Sequence, residues 1–347
     1  MQTDIHFYGT YTIARLAGFE AEDARVIATA AQFVDDSTDK NSEKNDDGEM
    51  LFSIATAHHP VDAAVKNFTL PEEHRLVWIP FHFYPGGQGN TFEEQLLCIK
   101  NGPLVNKMFD SHLALKDKPF YLHLLGIAAH VYLDTFSHYG FSGICSDLNR
   151  IHNDSIELHV QDNSIHKDII DKANYFFRKY KSEIGEWGSK GLGHGAVATY
   201  PDRPYLSWNF KYEKGRYGNG VESGMRNNQK TYLEGLKALH KKLSRAARNK
   251  YSNPGIQRFP DGEINMILAV EGHGAKRIES WKQFLKNHFE EHIVEYSHKD
   301  WGNQKDDFDK TVSPDHISDC YRFHQAATHH RWYTLKDLMP EHGIYAV

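Results

Sequence analysis

Apolar positions recur along most of the chain at helical spacing, and the most apolar segment lies before its midpoint. Residues 120–136 (FYLHLLGIAAHVYLDTF) are hydrophobic almost all round, which in a globular chain marks a helix buried at the centre of the fold. The segment is too short and too polar to span a bilayer. Residues 21–34 place Ala24, Ile27, Ala28, Ala31 and Val34 on one face behind an acidic first turn, which predicts a second helix. Short helices are expected over 60–68, 92–97 and 104–115, separated by the Pro85-Gly86-Gly87 turn and the Asn101-Gly102-Pro103 break. Residues 165–184 and 229–250 read as amphipathic helices, and 265–296 as one long helix or two consecutive ones. Helical spacing returns over 316–338 through Tyr321, Phe323, Ala327 and Trp332.

Two stretches show no period. The acidic run 39–47 is expected as a solvated connecting loop. Residues 185–224 combine many glycines with Tyr, Trp and Pro, and a structureless stretch of that length usually folds over a site, so it is expected as a cap. With no internal repeat, the pattern predicts an all-α, multi-helix bundle around a buried central helix. It forms one domain over 1–347, with a helical core at 1–184, the capping segment 185–224 and a C-terminal helical part at 225–347.

Composition narrows the classes. A chain of 347 residues with 40% hydrophobic content can bury a sizeable core. No run reaches the roughly 18 apolar residues of a membrane span, and residues 1–9 do not resemble a secretion signal. A soluble, cytoplasmic protein is therefore expected, export as an effector by another route being the alternative. Cys98, Cys145 and Cys320 form no CxxC pair, which argues against a disulfide framework or a thiolate zinc knuckle. A formal net charge of −6 argues against stable binding to duplex nucleic acid. The 23 histidines are more than packing needs, and histidine is the commonest metal ligand, so position has to decide which of them matter.

The chemistry starts on the central segment. A helix turns about 100° per residue, so His130, Asp134 and His138 point to nearly the same side, with His123 within about 20° of His130. A buried unpaired carboxylate at Asp134 is costly unless a cation or a dense set of donors meets it. A divalent metal held by this stripe meets that need.

The segment LLGIAAHVYLDTFSHYGFSG, residues 124–143, resembles the central helix of the zinc-dependent phospholipase C and single-strand-specific zinc nuclease superfamily, whose hallmark is a His-x3-Asp pair followed by another His. His130, Asp134 and His138 match it, and the resemblance covers about the first 200 residues. It implies an all-helical fold, a cluster of one to three zinc ions or another divalent metal, and cleavage of phosphoester bonds by metal-activated water. Taken position by position, it implies His6 in MQTDIHFYG as the early ligand, although the family's N-terminal Trp is absent and Asp4 is available as an oxygen donor in its place. It implies Asp35 in AQFVDD as the carboxylate ending the first long helix, with Asp36 as the register alternative. The aromatic-flanked His82 in PFHFY matches the next ligand, with His58 and His59 as competitors. The family's last His-x3-Glu or His-x3-Asp pair has no counterpart between His138 and His194. His194 in GLGHG is preferred for that place because its glycines admit close approach to a bound ion, with Asp162 and His166 as the alternative.

These assignments imply Asp35 and Asp134 as the catalytic carboxylates, Asp35 bridging or acting as general base. Tyr200 and Arg203 in TYPDRPY are the expected phosphate-binding side chains. The expected substrate is a phosphate ester, with phospholipid headgroups or nucleotides within the class. A scaffold protein with a closed structural metal, and a toxin effector acting on lipid or nucleic acid, are the competing readings.

Overall fold

The computed structural model describes residues 1–44, 48, 50–58, 71–184, 192–213, 220–293, 295–306 and 317–346, the side chains of 176–184 and 306 excepted. The expected helix at 60–68 and His59 lie outside the described residues. The fold is dominated by helices: α1 (Thr10–Leu16), α2 (Ala21–Asp36), α3 (Phe92–Gln95), α4 (Pro103–Leu113), α5 (Tyr121–Ser137), α6 (Asn163–Ile184), α7 (Asn228–Lys250), α8 (Asp261–Leu268), α9 (Gly274–Phe289), α10 (His298–Asp306) and α11 (Asp319–Trp332).

α5 is the central helix that the hydrophobic run predicts. Apart from Leu122, all of its residues are buried, and α2, α4, α7 and α11 pack around it. The contact with α2 is close because both faces are small. A Cβ on Gly126 would lie 2.3 Å from the Ile27 carbonyl and 2.5 Å from the Ala30 methyl, so only glycine fits there. That close approach carries the far end of α2, with Asp35, to the same end of the bundle as the last turn of α5.

Most of the remaining helices follow the sequence pattern with adjusted ends, whereas α1 and α10 have no counterpart in it. α3 stops at Gln95, its start fixed by a capping box between Thr91 and Glu94. Asn227 caps α7, and Asp162 caps α6 through the backbone amides of Ser164 and Ile165. The 265–296 pattern resolves into two helices, α8 and α9. Between them Gly272 sits at φ +108°, a conformation that ends regular helix. After α11 the chain widens into a π-helical run, Tyr333–Leu338. A second π-helical run, Asp4–Gly9, opens the chain and leads directly into α1. In the described part of the acidic stretch, residues 39–42 are connection and Glu43–Lys44 (β1) pairs antiparallel with Met50–Leu51 (β2).

The described part of the expected cap is more structured than its glycine content predicts. Residues 192–213 contain two 3-10 turns, Gly195–Val197 and Tyr200–Asp202, and the strand β4 (Ser207–Asn209). β4 is the middle strand of a small antiparallel sheet, between β3 (Glu157–His159) and β5 (Arg226–Asn227). Beneath it lies an aromatic cluster, separate from the main helical core, that includes Phe83, Phe141, Tyr200, Trp208 and Phe210. Among the described residues no helix is long and apolar enough to cross a membrane, and Cys98, Cys145 and Cys320 are free thiols.

Candidate metal centre

One end of the bundle gathers titratable side chains from five places in the chain. His130 and Asp134 stand one turn apart on α5, with His130 Nε2 3.2 Å from Asp134 Oδ2. His138, the residue that ends α5, adds Nδ1 at 3.6 Å from the same oxygen. α2 brings Asp35, whose Oδ1 lies 3.9 Å from His130 Nε2 and 3.8 Å from His82 Nδ1. His82 follows the short helix Ile79–Phe81 and places Nδ1 3.5 Å from Asp134 Oδ2. The N-terminal π-helical run brings His6, stacked on His130 at 3.8 Å between ring centroids, with Nε2 3.2 Å from Asp134 Oδ1. The cap supplies His194 and Asp202. Asp202 Oδ1 lies 3.3 Å from His138 Nε2, and its Oδ2 3.7 Å from His194 Nε2. The Met1 nitrogen is 3.3 Å from Asp134 Oδ1 and 3.3 Å from Asp202 Oδ1.

The backbone orients these rings. His130 Nδ1–H donates to the Ala31 carbonyl at 2.7 Å, and His82 Nε2–H to Thr56 at 2.8 Å. His138 Nδ1–H donates to the His82 carbonyl at 2.8 Å, and His194 Nδ1–H to Ala198 at 2.7 Å. Each bond fixes a tautomer whose other nitrogen keeps its lone pair for the cluster, the arrangement that metal-ligating histidines use. Two of those lone pairs, on His82 Nδ1 and His130 Nε2, face one another at 3.4 Å, which is repulsive unless a proton or cation lies between them. Both ring nitrogens of buried His6, and Asp134 Oδ2, lack a hydrogen-bond partner. Buried polar atoms are rarely left so.

Among the described residues, three sets of donor atoms could each hold an ion: His6 with His130 and Asp134, Asp35 with His82 and His130, and His138 with His194 and Asp202. Because His130 Nδ1 is committed to Ala31, its Nε2 serves one of the first two sets at a time. Asp134 joins those sets, its Oδ2 facing His82 and His130 and its Oδ1 facing His6. Imidazole and carboxylate donors in this number fit zinc or another borderline divalent metal.

The electrostatics favour positive charge at this end of the bundle. Burial alone would raise Asp134, but His138, the Met1 ammonium and His130 hold its carboxyl well below the usual range. Asp202 is driven down in the same way against its burial, by Met1, His194 and His138. Burial lowers the Met1 amine, yet Asp134, Asp202 and Asp35 together carry it up to about 11. His130 is raised despite burial by Asp134 and Asp35, whereas burial takes His194 down to about 4. His6 falls well below its usual value, through burial first and then the charges of His130 and Met1. Burial raises Asp35. Asp35 is also the most open ligand candidate, its side chain 28% exposed, followed by His194 at 19% and Asp202 at 13%. His6, His130 and Asp134 form the closed floor.

Other expected residues lie elsewhere. Asp4 forms a buried ion pair with Arg277 at 2.5 Å, so it is a structural anchor and not an oxygen ligand. Asp36 faces away from the cluster, where it accepts from Tyr296 and Gln32. His58 pairs with Glu73 at 2.6 Å, whereas His82 Nδ1 comes within 3.4 Å of His130 Nε2. His123 pairs with Asp319, at the opposite end of α5. Asp162 is spent on capping α6, and neither it nor His166 joins a donor set. The Tyr200 ring packs on Trp208, and Arg203 donates to the Tyr205 hydroxyl at 3.2 Å. The side chain between them, Asp202, is the one that reaches the histidines, and the sequence reading missed it. Its only sequence signal is a carboxylate set among Tyr, Pro and Arg shortly after a glycine-flanked histidine.

Neither curated proteins nor solved structures give a match to this chain. The model of a family of unknown function, DUF6765, matches residues 1–338, and the chain belongs to that family.

Proposed function

We propose that this end of the bundle is a multinuclear metal centre, of zinc in the first instance, that hydrolyses phosphate esters. The observation that carries the reading is the convergence of five histidines and three aspartates whose hydrogen bonds leave ring lone pairs and carboxylate oxygens pointing at one another. Asp35, His82, His130 and Asp134 hold one ion. His6 and the second oxygen of Asp134 serve another, and His138, His194 and Asp202 a third. Bound there, a divalent metal would supply Lewis-acid chemistry, making water more acidic and offsetting charge that builds during ester cleavage.

This chain's own residues do the rest. The exposed edge formed by Asp35, His194 and Asp202 admits the ester, while the buried floor keeps Asp134 and His130 from relaxing toward water. Asp35, the most exposed of the donors at the edge, would take the proton of the attacking water. An open edge suits catalysis, where a purely structural metal has a closed shell. The reading accords with the resemblance of residues 124–143 to the zinc phospholipase C and nuclease superfamily.

The test is a panel of phosphodiester, phosphomonoester and phospholipid substrates assayed with chelator-stripped and zinc-reloaded protein. Zinc-dependent turnover that Asp35→Asn lowers by roughly 100-fold or more, in line with loss of a general base, supports the reading. A fully metal-loaded protein inactive on every class overturns it.

A further inference from the structure

The third donor set is built differently from the other two. His138 sits just beyond the end of α5 and Asp202 in a 3-10 turn of the cap, so neither is held by the interior of a helix. Both are nonetheless gripped from behind by one short piece of chain, residues 226–228, where β5 passes into α7.

Arg226 is 2% exposed. One terminal nitrogen donates to the Ser137 carbonyl and the other to the Tyr139 carbonyl, each at 2.9 Å, so the guanidinium spans the backbone on either side of His138. It lies 3.6 Å over the Tyr139 ring, with Trp208 5.0 Å away. Asn228, also 2% exposed, does the same for Asp202. Its amide donates to the Tyr200 carbonyl at 2.7 Å and the Arg203 carbonyl at 2.8 Å, the two residues flanking Pro201 and Asp202. Its carbonyl oxygen accepts from Trp208 Nε1 at 3.1 Å. Tyr232, one turn further along α7, donates to the Pro201 carbonyl at 2.8 Å.

We infer that Arg226 and Asn228 are positioning residues for one metal position, a two-armed clamp that sets the spacing between His138 and Asp202. The inference rests on the metal-centre reading and names the parts that make its third position. A cation near the end of α5 also complements the helix dipole, so a structural role for Arg226 alone is ordinary. A structural cap does not require the next-but-one residue to brace the opposing ligand, and the register β4–β5, pairing Trp208 with Arg226, ties the two arms together. His194, the third member of the set, is fixed separately by its bond to Ala198. It needs the clamp only to bring its partners to it. Outer partners of metal ligands typically change affinity by roughly 10–100-fold, and that is the effect expected here.

The experiment measures bound zinc per chain, and zinc affinity by chelator competition, for the wild type, Arg226→Met, Arg226→Lys and Asn228→Asp, with Tyr84→Phe as a buried control whose hydroxyl pairs with Thr334 outside the donor sets. Cobalt substitution supplies a spectrum of the ligand field, and the metal-free proteins are checked for helical content. The clamp predicts that Arg226→Met and Asn228→Asp lose one ion per chain or weaken it 10–100-fold, that Arg226→Lys is intermediate, and that Tyr84→Phe keeps the full complement. Because the clamp acts through one position, Arg226→Met combined with His194→Ala loses no more metal than His194→Ala alone. Combined with His82→Ala it loses more than either. If Arg226→Met does not fold, Arg226→Lys and Asn228→Asp carry the same comparison. Folded variants that keep the wild-type stoichiometry, affinity and cobalt spectrum overturn the clamp while leaving the metal centre standing. A wild type that binds no zinc overturns the metal centre itself and the clamp with it.

Discussion

The two halves of the site are held by different means. On the helical side, His130 and Asp134 are placed by the turn of α5, and Asp35 by the close packing of α2 that Gly126 permits. On the cap side, His194 precedes one short 3-10 turn and Asp202 ends another, and their places are set by bonds to the Ala198 carbonyl and from the distant Asn228 side chain. A helix fixes ligand spacing by its own geometry. A cap fixes it only through the tertiary structure, so the helical ligands should resist perturbation and the cap ligands should depend on their supports.

The largest effect is expected at Asp134, whose two oxygens face different donor sets. Asp134→Asn should release more than one ion per chain, read by elemental analysis, while Asp110→Asn, an exposed change paired with Arg245, should release none. Retention of the full complement by Asp134→Asn would remove the helical side as the organiser of the centre. The next largest effect is on folding. Removing Arg277 leaves Asp4 buried without its partner, a loss of about 3–5 kcal/mol. Denaturant unfolding of Arg277→Met checks it, and Asp4→Asn should destabilise the chain without lowering metal content in the material that remains folded.

What the sequence made legible follows the same division. The α5 stripe could be read because helical periodicity converts spacing into direction. Asp35 and His82 came from the family resemblance, matched at the end of the first long helix and at an aromatic-flanked histidine, and His194 was marked by its glycines. Gly193 is required at that place, since it sits at φ +53° and a Cβ there would fall 2.3 Å from the Phe83 ring. Asp202 was not legible, because what brings it to His194 is a pair of 3-10 turns braced by Asn228, 26 residues further along the chain. The sheet was missed for a related reason. β3, β4 and β5 are two or three residues long, too short to show an alternating pattern. The π-helical start of the chain was not foreseen, and Asp4 beside His6 looked like a ligand only until Arg277 arrived from α9 to claim it.

His194→Ala sharpens the contrast further. It should cost one ion and leave thermal stability nearly unchanged, because the ring contributes to the open edge and not to the main core; loss of two ions would show that the cap organises the floor as well. A smaller effect distinguishes the halves by pH in metal-free protein. His130, raised by Asp134 and Asp35, contributes stability that is full below pH 6.5 and is lost as pH rises through its folded pKa. His194, lowered by burial to about 4, contributes stability present above pH 6.5 and lost as pH falls from 6.5 toward 4. Imidazole NMR titrations should therefore move in opposite directions from 6.5, and two ordinary curves would contradict this electrostatic contrast between the halves. The smallest effect is at His58. Paired with Glu73 and outside every donor set, His58→Gln should leave metal content at the wild-type level, and a loss there would reopen the choice between His58 and His82.

The account turns on whether metal sits among these side chains, and anomalous diffraction at the zinc edge from crystals of the purified protein measures that directly. The expected result is anomalous density within about 2.0–2.2 Å of His130 Nε2 and His82 Nδ1, with further peaks at His6 and between His138, His194 and Asp202. Density confined to other sites, or none at this end of the bundle in zinc-loaded crystals, would contradict it.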